Sequence, residues 1–299
     1  MMSYDYWILD VFTDTPFSGN PLAVVYDADN LSDEQMLAIA REFNLSETIF
    51  LCAPENPGHL ASTRIFTPTI ELPFAGHPTV GAAIAIAQQD GGRFDDRIFV
   101  LEEKVGPVRI SITGGERPFA EFDLPCMPEI LPEPLDRDQI AAALGLKPDE
   151  LVMENHEPVL ASAGNAFAFV PVSGLAAMSR IVPNAELLDS LGSINDQKIE
   201  PYVYCRETVS SDCAFHARMF APHMGIPEDP ATGSAAAAFS SVIERFVGLG
   251  DGQTAFWIEQ GIEMGRPSRI RLEVIATGGK MTLARIGGHA VKVAEGRLV

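Results

Sequence analysis

Four side chains of this chain could move or hold a proton: Glu47, His77, Asp229 and Ser234. A carboxylate that is taken partly out of water can exchange a proton near neutral pH, which is the role we predict for Glu47. A neutral imidazole at His77 can donate or relay a proton. Asp229 can orient such a group or an amino substituent, and Ser234 offers a hydroxyl. These residue types predict general acid/base chemistry on a small molecule.

Glycine marks the start of two segments that we predict to be helices. Gly76 leads into the small-residue segment 81–85, and Gly233 leads into the alanines 235–238. The exposed N–H groups and the positive dipole end of a helix start attract anions. We therefore predict that backbone N–H groups near Gly76 and Gly233 hold the carboxylate of a small anionic metabolite.

A repeated pattern precedes both glycines. The pattern Arg-x-Phe-x-Pro occurs at 64–68 and again at 218–222, and further prolines follow at Pro73 and Pro227. The two copies are displaced by 154 residues, whereas the two glycines are 157 residues apart, so the second copy is three residues longer. The repeat predicts two similar halves with one ligand in a cleft between them. The arginines of both copies are interpreted as structural.

The composition limits the classes of partner. Hydrophobic residues make up 46% of the chain and charged residues 21%, so each half can bury a core. The formal net charge of −20 argues against nucleic acid and against an anionic membrane surface, because both attract basic patches. It leaves an anionic small molecule open, because nearby dipoles set the potential of a site more than distant surface charges do.

The termini, the apolar segments and the cysteines indicate the compartment. The chain begins without a basic region followed by an apolar core, so we expect no signal peptide. No run of about 18 apolar residues predicts a membrane span. The four cysteines lie far apart and are expected to be thiols rather than a disulfide framework. Together these features predict a cytoplasmic protein.

Several common cofactor motifs are absent. The sequence has no G-x-G-x-x-G between a strand and a helix, no phosphate-binding G-x-x-x-x-G-K-[ST], no H-E-x-x-H and no G-x-S-x-G. His216 and His223 are seven residues apart across a predicted strand end, which is a poor spacing for a metal pair. We therefore predict neither a metal nor a cofactor.

The periodicity predicts an α+β fold that lacks a regular β-α-β alternation. Ser32 and Gln35 form a capping box for a helix that ends near Asn44, and Glu47 follows where a loop enters the strand 48–52. Further elements are expected as strands at 7–12, 22–26, 61–66, 97–103, 107–113, 119–124, 166–171, 202–206, 214–220, 270–274, 281–285 and 290–293, and as helices near 137–145 and 184–191. The proline-rich stretch 125–134 is interpreted as a linker.

Five blocks of the sequence resemble the phenazine-biosynthesis (PhzF-like) isomerase family. They run in the family's order almost from end to end: D-V-F-T with F-S-G-N-P-L-A-V within 10–24, N-L-S-E-T at 44–48, F-T-P to F-A-G-H-P-T within 66–79, E-D-P-A-T-G-S-A at 228–235, and G-G-H-A-V with E-G within 287–296. The resemblance implies a fold like that of diaminopimelate epimerase. In that fold each of two similar lobes is a curved, mostly antiparallel sheet around a central helix, and the active site lies in the cleft between them.

The resemblance also implies the lobes and the roles of the site residues. The lobes are expected at 1–118 plus about 286–299, and at 119–285. The family's general acid/base falls on Glu47 of N-L-S-E-T, and its other catalytic groups fall on His77 and Asp229. Substrate binding is expected from Asn20, Gly76, His77, Gly233 and Ser234. The chemistry is cofactor-independent proton transfer, and a homodimer is what the family suggests.

One departure from related racemases narrows the chemistry. Those enzymes carry a cysteine just before the first glycine motif and another near the second, whereas this chain has Ala75 in the first place and Ala231 and Thr232 around the second. A two-thiol racemase is therefore disfavoured, and one carboxylate is left to move the proton.

Our leading hypothesis is an isomerase in which Glu47 removes a proton from a small carboxylic acid and returns it elsewhere. The same residues also have plain structural interpretations: Asp229 and Ser234 could cap their helix, and His77 could be a packed side chain. Two other functions stay open. One is a metabolite-binding protein without catalysis, and the other is an epimerase, which needs two acid/base groups on opposite faces.

Overall fold

The computed structural model describes residues 3–89, 96–194 and 197–299. The fold is α+β, with many strands and few helices. The strands are β1 Tyr4–Val11, β2 Asn20–Val25, β3 Glu47–Cys52, β4 Ala61–Phe66, β5 Glu71–Leu72, β6 Arg97–Glu103, β7 Gly106–Thr113, β8 Phe119–Asp123, β9 Glu129–Ile130, β10 Val159–Ser162, β11 Ala166–Pro171, β12 Ser193–Ile194, β13 Gln197–Lys198, β14 Glu200–Cys205, β15 Phe215–Ala221, β16 Ile226–Asp229, β17 Gly252–Gln260, β18 Ser268–Thr277 and β19 Lys280–Leu298. The helices are α1 Asp33–Phe43, α2 Gly76–Gln89, α3 Arg137–Leu144, α4 Leu175–Met178, α5 Ala185–Asp189 and α6 Gly233–Phe246.

The chain forms two compact units. The first comprises Met1–Pro125 and Ile286–Val299, and the second comprises Cys126–Arg285. The first unit therefore extends past residue 118, where the sequence suggested a boundary. The reason is that β8 pairs along its length with β7 and so belongs to the sheet of the first unit.

The first unit is a mixed sheet over the helix α2. Strand β2 pairs antiparallel with β1 and parallel with β3. Strand β4 pairs antiparallel with β3 and β5 and parallel with β6. Strand β7 pairs antiparallel with both β6 and β8. Helix α2 is buried along most of its length and packs on β1, β2, β3, β7 and β8. Gly81 permits this contact, because a Cβ there would lie 2.4 Å from the Leu22 side chain.

The second unit repeats this order of pairing. β11 pairs antiparallel with β10 and parallel with β14, β15 pairs antiparallel with β14 and β16 and parallel with β17, and β18 pairs antiparallel with β17. Helix α6 packs on β9, β10, β11 and β18. The centre of this core is Phe239 of α6, whose ring lies 4.6 Å from that of Tyr204 and 4.9 Å from that of Phe215.

The register shows which residues of the two units correspond. Arg64 pairs with Phe50 on the neighbouring strand, and Arg218 pairs with Val203. Both helices that follow have 14 residues. Ile65 pairs with Leu72, whereas Met219 pairs with Asp229, so the three additional residues of the second copy lie between Met219 and Asp229, in the segment that contains the short 3-10 helix Pro222–Met224. By this register Pro227 is not the counterpart of Pro73.

Most predicted elements are present within two or three residues of their expected ends. The strands at 61–66, 97–103 and 166–171 have the predicted bounds, and the two glycine-marked segments are helices. The prediction of separate strands at 281–285 and 290–293 was wrong, because β19 is continuous from 280 to 298. Its glycines stay extended under close packing: a Cβ on Gly288 would lie 2.4 Å from the Phe12 ring.

Candidate active site

Helix α1 and its ends deliver Glu47 to the edge of a buried strand. Ser32 accepts from the Gln35 N–H at 3.3 Å, and the Gln35 side chain accepts from the Ser32 N–H at 2.9 Å. At the other end Asn44 takes a left-handed conformation with φ of 51°, which stops α1 and turns the chain. Glu47 is then the first residue of β3, where it pairs with Leu22.

Glu47 and His77 lie side by side in the first unit. His77 Nε2 is 3.4 Å from Glu47 Oε2, and the two side chains are 5% and 14% exposed. One side chain comes from the start of a strand and the other from the first turn of α2, so the sheet and its helix fix the contact between them. A carboxylate and an imidazole in contact, with little water around them, can share or pass a proton.

The protonation of His77 follows from its two ring nitrogens. A backbone hydrogen bond joins the imidazole to Pro21, and because proline has no N–H the ring must donate to the Pro21 carbonyl. Among the described residues Nε2 has no hydrogen-bond partner, so Nδ1 carries the donated proton. Burial outweighs the Pro21 hydrogen bond and lowers the pKa of His77 to about 3. The imidazole is therefore neutral and presents an unprotonated Nε2 to Glu47.

The loop before β2 leads into Asn20, the residue next to Pro21. Asp10 is buried and its Oδ2 accepts from the Phe17 N–H at 2.6 Å. Gly19 has φ of 66°, and a Cβ there would lie 2.3 Å from the Val11 carbonyl oxygen, so the loop requires glycine. Asn20 follows as a fully buried residue and is the immediate neighbour of Pro21, to which His77 donates.

Glu103, which the sequence interpretation did not single out, supports the first turn of α2. Thr79 Oγ1 lies 2.8 Å from the Ala75 carbonyl and 2.7 Å from Glu103 Oε1. A hydroxyl has one proton and a carbonyl can only accept, so both contacts are satisfied when Glu103 is protonated. Burial, opposed by the Thr79 hydrogen bond, raises the pKa of Glu103 to about 8. Glu103 is thus held neutral beneath the turn that carries Gly76 and His77.

In the second unit Asp229 is bound into the turn before α6. Thr232 Oγ1 donates to Asp229 Oδ2 at 2.6 Å, and Gln260 Nε2 donates to the Asp229 carbonyl at 2.8 Å. Gln260 also contacts Thr232 twice: its amide nitrogen is 2.9 Å from the hydroxyl, and its amide oxygen accepts from the backbone N–H at 3.2 Å. Sequence reasoning missed Gln260 because no motif surrounds it.

The start of α6 has Thr232 as its N-cap residue, but the Thr232 side chain makes no capping hydrogen bond. Its hydroxyl is committed to Asp229 instead. Gly233 is buried and Ser234 is partly exposed at the first two helical positions. The first turn therefore relies on groups other than its N-cap side chain to satisfy its N–H donors, and an anion is one such group.

A second carboxylate–imidazole contact lies in the second unit, at residues that sequence reasoning did not select. Glu200 begins β14, and its Oε1 is 3.4 Å from Nε2 of His223. Burial and the charge of Asp229 raise the pKa of Glu200 to about 8. The N-L-S-E-T motif around Glu47 has no sequence counterpart here, so only the strand pairing identifies the position.

The thiols are unsuited to act as bases. All four cysteines are free, and they lie outside both glycine-marked turns. Burial raises the pKa of Cys52 and of Cys213 to about 11 and that of Cys205 to about 12. Because the thiolate is the reactive form, these three side chains are inert near neutral pH.

Metal ligation was also considered for the residues that the structure describes. Within 3–89, 96–194 and 197–299, no group of three or more His, Cys, Asp or Glu side chains could hold a metal ion.

Across the described part of the chain, no helix combines the length and apolarity needed to span a bilayer.

Comparisons with known proteins find similarity along almost the whole chain. The profile of the family described as "Phenazine biosynthesis-like protein" matches residues 9–296. An uncharacterized isomerase from Mesorhizobium japonicum is 52% identical, covering 100% of this chain and 99% of that protein. The trans-2,3-dihydro-3-hydroxyanthranilate isomerase of Pseudomonas aeruginosa is 35% identical, with 98% of each chain covered. A crystal structure of a PhzF-family phenazine biosynthesis protein from Bacillus anthracis superposes with a TM-score of 0.90 at 28% identity and full coverage of both chains.

Proposed function

Because the chain belongs to the family of phenazine biosynthesis-like proteins, we propose that this isomerase moves a proton on a small carboxylic acid by general acid/base catalysis at Glu47. The observation that carries the proposal is the contact of Glu47 with a neutral, buried imidazole. In the proposed reaction Glu47 removes a proton from the carbon next to a carboxylate or a conjugated bond. Glu47 then returns the proton at another carbon, and no cofactor takes part.

His77 favours the form of Glu47 that holds the proton. Its unprotonated Nε2 faces Glu47 Oε2, so it can accept a hydrogen bond from the protonated carboxyl but gives none to the carboxylate. The imidazole thus stabilises the state that follows proton removal. Because the pKa of His77 is about 3, we expect this role to be unchanged from pH 5 to pH 9.

The other site residues are proposed to bind and orient the substrate. In the first unit these are Asn20 and the N–H groups near Gly76, and in the second unit they are Asp229, Gly233 and Ser234. The supporting observations are the burial of Asn20, Gly76, Asp229 and Gly233, and the absence of a capping side chain from Thr232 at the start of α6. A carboxylate at a helix start is stabilised by the N–H groups and by the dipole.

The substrate class follows from the chemistry and from the relatives. The Pseudomonas relatives are named for an amino- and hydroxyl-bearing dihydrobenzoate, which is a small anionic acid. We propose a substrate of this class, held in the epimerase-like arrangement of lobes that the resemblance implies. The cytoplasmic location and the homodimer stay predictions. Light scattering on the purified protein measures the mass of the particle in solution and so tests the homodimer.

The test is Glu47→Gln, with Glu42→Gln on the exposed side of α1 as the matched control. Both variants are assayed with trans-2,3-dihydro-3-hydroxyanthranilate and with a panel of amino and unsaturated carboxylic acids, by product formation and by solvent deuterium uptake. We expect Glu47→Gln to lower turnover by about 100- to 10,000-fold and Glu42→Gln to leave it unchanged. Turnover of Glu47→Gln within about threefold of the wild type would show that another group moves the proton.

A further inference from the structure

Glu103 occupies in the first unit the position that Gln260 occupies in the second. Each residue directly follows a glutamate that accepts two backbone N–H groups and binds a histidine. Gln260 donates to the Asp229 carbonyl and accepts from the Thr232 N–H, and so holds the turn before α6. An amide side chain does not ionise. The second unit therefore supports its helix start with an uncharged group, whereas the first unit uses a group that can ionise.

The neutral form of Glu103 completes a chain of hydrogen bonds in the first turn of α2. The carboxyl donates to the Thr79 hydroxyl, with 2.7 Å between the oxygens, and this hydroxyl donates to the Ala75 carbonyl at 2.8 Å. The same carbonyl accepts from the Thr79 N–H at 3.3 Å. Because the Thr79 hydroxyl has a single proton, it can donate to Ala75 only while Glu103 supplies a proton of its own. The closure of the turn therefore depends on the protonation of Glu103.

This turn also presents the N–H groups to which the substrate carboxylate is proposed to bind. The first N–H groups of a helix have no partner within the helix. Pro78 has no N–H, and the Thr79 N–H is already bonded. The donors left for an anion at the start of α2 are therefore those of Gly76 and His77. Glu103 contacts the same turn that carries both donors.

An ionised Glu103 would be poorly stabilised in its surroundings. The side chain is buried, and its Oε2 has no hydrogen-bond partner among the described residues. The carboxylate would take the proton of the Thr79 hydroxyl as a hydrogen bond, and the Ala75 carbonyl would lose that donor. Burial, opposed by the Thr79 hydrogen bond, raises the pKa of Glu103 to about 8. Above that pH the turn loses a hydrogen bond and gains a negative charge close to its N–H donors.

The elements around Glu103 carry these other charged or titratable groups: Arg64 on β4, Glu71 on β5, Glu102 on β6, Lys104 after β6, Arg109 on β7, and His77 on α2. The first five each bind a partner other than Glu103. His77, which contacts Glu47, is neutral because burial lowers its pKa to about 3. We therefore assign the change of charge beneath the start of α2 near pH 8 to Glu103.

We propose that Glu103 is a positioning residue for the substrate carboxylate: its proton keeps the first turn of α2 in the form that binds an anion, and loss of this proton weakens binding. This rests on the proposed function, in which N–H groups near Gly76 hold that carboxylate. One helical turn and two hydrogen-bond lengths place the two negative charges on the order of 10 Å apart. At an effective dielectric constant of about 20 their repulsion corresponds to roughly tenfold weaker binding.

The test compares KM and kcat for trans-2,3-dihydro-3-hydroxyanthranilate at pH 6.5 and pH 9.5. The proteins are the wild type, Glu103→Gln, and Glu42→Gln on the exposed side of α1 as the control for loss of one negative charge. From the lower to the higher pH, the KM of the wild type and of Glu42→Gln should rise about tenfold more than that of Glu103→Gln. The ratio of kcat between the wild type and Glu103→Gln should change by less than about twofold, because the effect is on binding. Ionisation of the substrate and of Glu47 affects all three proteins and cancels from the comparison.

A titration of the wild type tests the inference without a variant. The protein is labelled with ¹³C at the glutamate side-chain carboxyls, and the Glu103 signal is followed by NMR against pH. The titration is repeated with saturating trans-2,3-dihydro-3-hydroxyanthranilate in equilibrium with its product. Binding and ionisation affect each other equally, so tenfold weaker binding to the ionised form requires the ligand to raise the midpoint of the Glu103 titration by about one pH unit. An unchanged midpoint would overturn the role of Glu103.

The outcomes separate this inference from the function on which it rests. If the wild type and Glu103→Gln have the same ratio of KM values at both pH values, or if kcat changes with KM as a structural role predicts, only the role of Glu103 is overturned. If the wild type does not convert the acid, the proposed function fails and this inference fails with it. Turnover retained by Glu47→Gln would overturn the role of Glu47 alone, because the KM comparison measures binding at α2.

Discussion

The two units use the same backbone positions with different side-chain chemistry. Glu102 of the first unit accepts two backbone N–H groups from the hairpin between β3 and β4, and Glu259 of the second accepts two from the hairpin between β14 and β15; each also binds a histidine. The following residue is Glu103 in one unit and Gln260 in the other, and both support the turn at their helix. Glu102 is part-exposed whereas Glu259 is buried, so the same contacts should contribute more in the second unit.

The arginines of the repeat give a second contrast. Arg64 contacts Glu71 and Asp33 and is 27% exposed, whereas Arg218 is 8% exposed and binds Glu228 through two nitrogens. Each guanidinium also lies over the phenylalanine two residues on, at 5.1 and 4.9 Å from the ring centroid. Their structural interpretation agrees with these contacts. Because Arg218 is more buried than Arg64, we expect its ion pair to contribute more to the free energy of unfolding.

The largest effect is expected from Arg218→Met. Removing the guanidinium leaves the Glu228 carboxylate, which is 14% exposed, without this partner, and we expect a loss of about 3–5 kcal/mol in the free energy of unfolding. Arg64→Met is the matched variant, and its more exposed ion pairs predict a loss of about 1 kcal/mol or less. Urea denaturation followed by circular dichroism measures both, and equal losses would contradict the contrast.

A nearly equal effect is expected from Gln260→Glu. The variant loses the amide protons that Asp229 and Thr232 accept and brings a carboxylate next to Asp229, which should cost about 3 kcal/mol. The reverse exchange, Glu103→Gln, should cost less than about 1 kcal/mol at pH 5, because the protonated carboxyl is already neutral there. If both exchanges have the same cost in urea denaturation, the two positions do not differ in charge as we infer.

A moderate and pH-dependent effect is expected from His216→Gln. Burial disfavours the charge on His216, but hydrogen bonds to Glu259 and Glu263 outweigh it and raise its pKa to about 9. A raised folded-state pKa contributes stability that is full below about pH 6.5 and is lost as the pH rises to about 9. Glutamine should therefore destabilise the protein at pH 6 and much less at pH 10.

The control for this prediction is His59→Gln, which removes the more exposed histidine bound to Glu102. We expect a smaller change in the urea midpoint at pH 6 than for His216→Gln. A His216→Gln effect that is the same at pH 6 and pH 10 would show that the imidazolium charge does not stabilise the fold.

A pH-dependent effect of the opposite kind is expected from Glu103→Gln. Because the folded-state pKa of Glu103 is about 8 and lies above its usual value, wild-type stability should fall as the pH rises from about 4.5 to 8. Glutamine removes this contribution, so the variant should gain stability relative to the wild type across that window. Thermal melting between pH 5 and pH 9 measures the difference in stability between the variant and the wild type. A difference that stays constant over this range would show that the pKa of Glu103 is not raised in the folded protein.

Much of the local structure could be read from the sequence. The capping box at Ser32 and the left-handed stop at Asn44 are local signals, because each depends on side chains within a few residues of the backbone groups they bind. The repeated Arg-x-Phe-x-Pro pattern could also be read from the sequence, and it identified two equivalent strands. The continuous strand β19 was missed because extended glycines carry no local signal and are held by packing against distant side chains such as Phe12.

The sequence by itself determined the family, the helix starts at Gly76 and Gly233, and the selection of Glu47 and His77 as candidates. The tertiary structure decided the protonation of His77, because burial and the Pro21 carbonyl lie outside its own segment. It also decided the equivalence of Glu200 and Glu47. Their distances to the repeat arginines differ by one residue along the chain, and only strand pairing, which is set by hydrogen bonds between distant segments, aligns them.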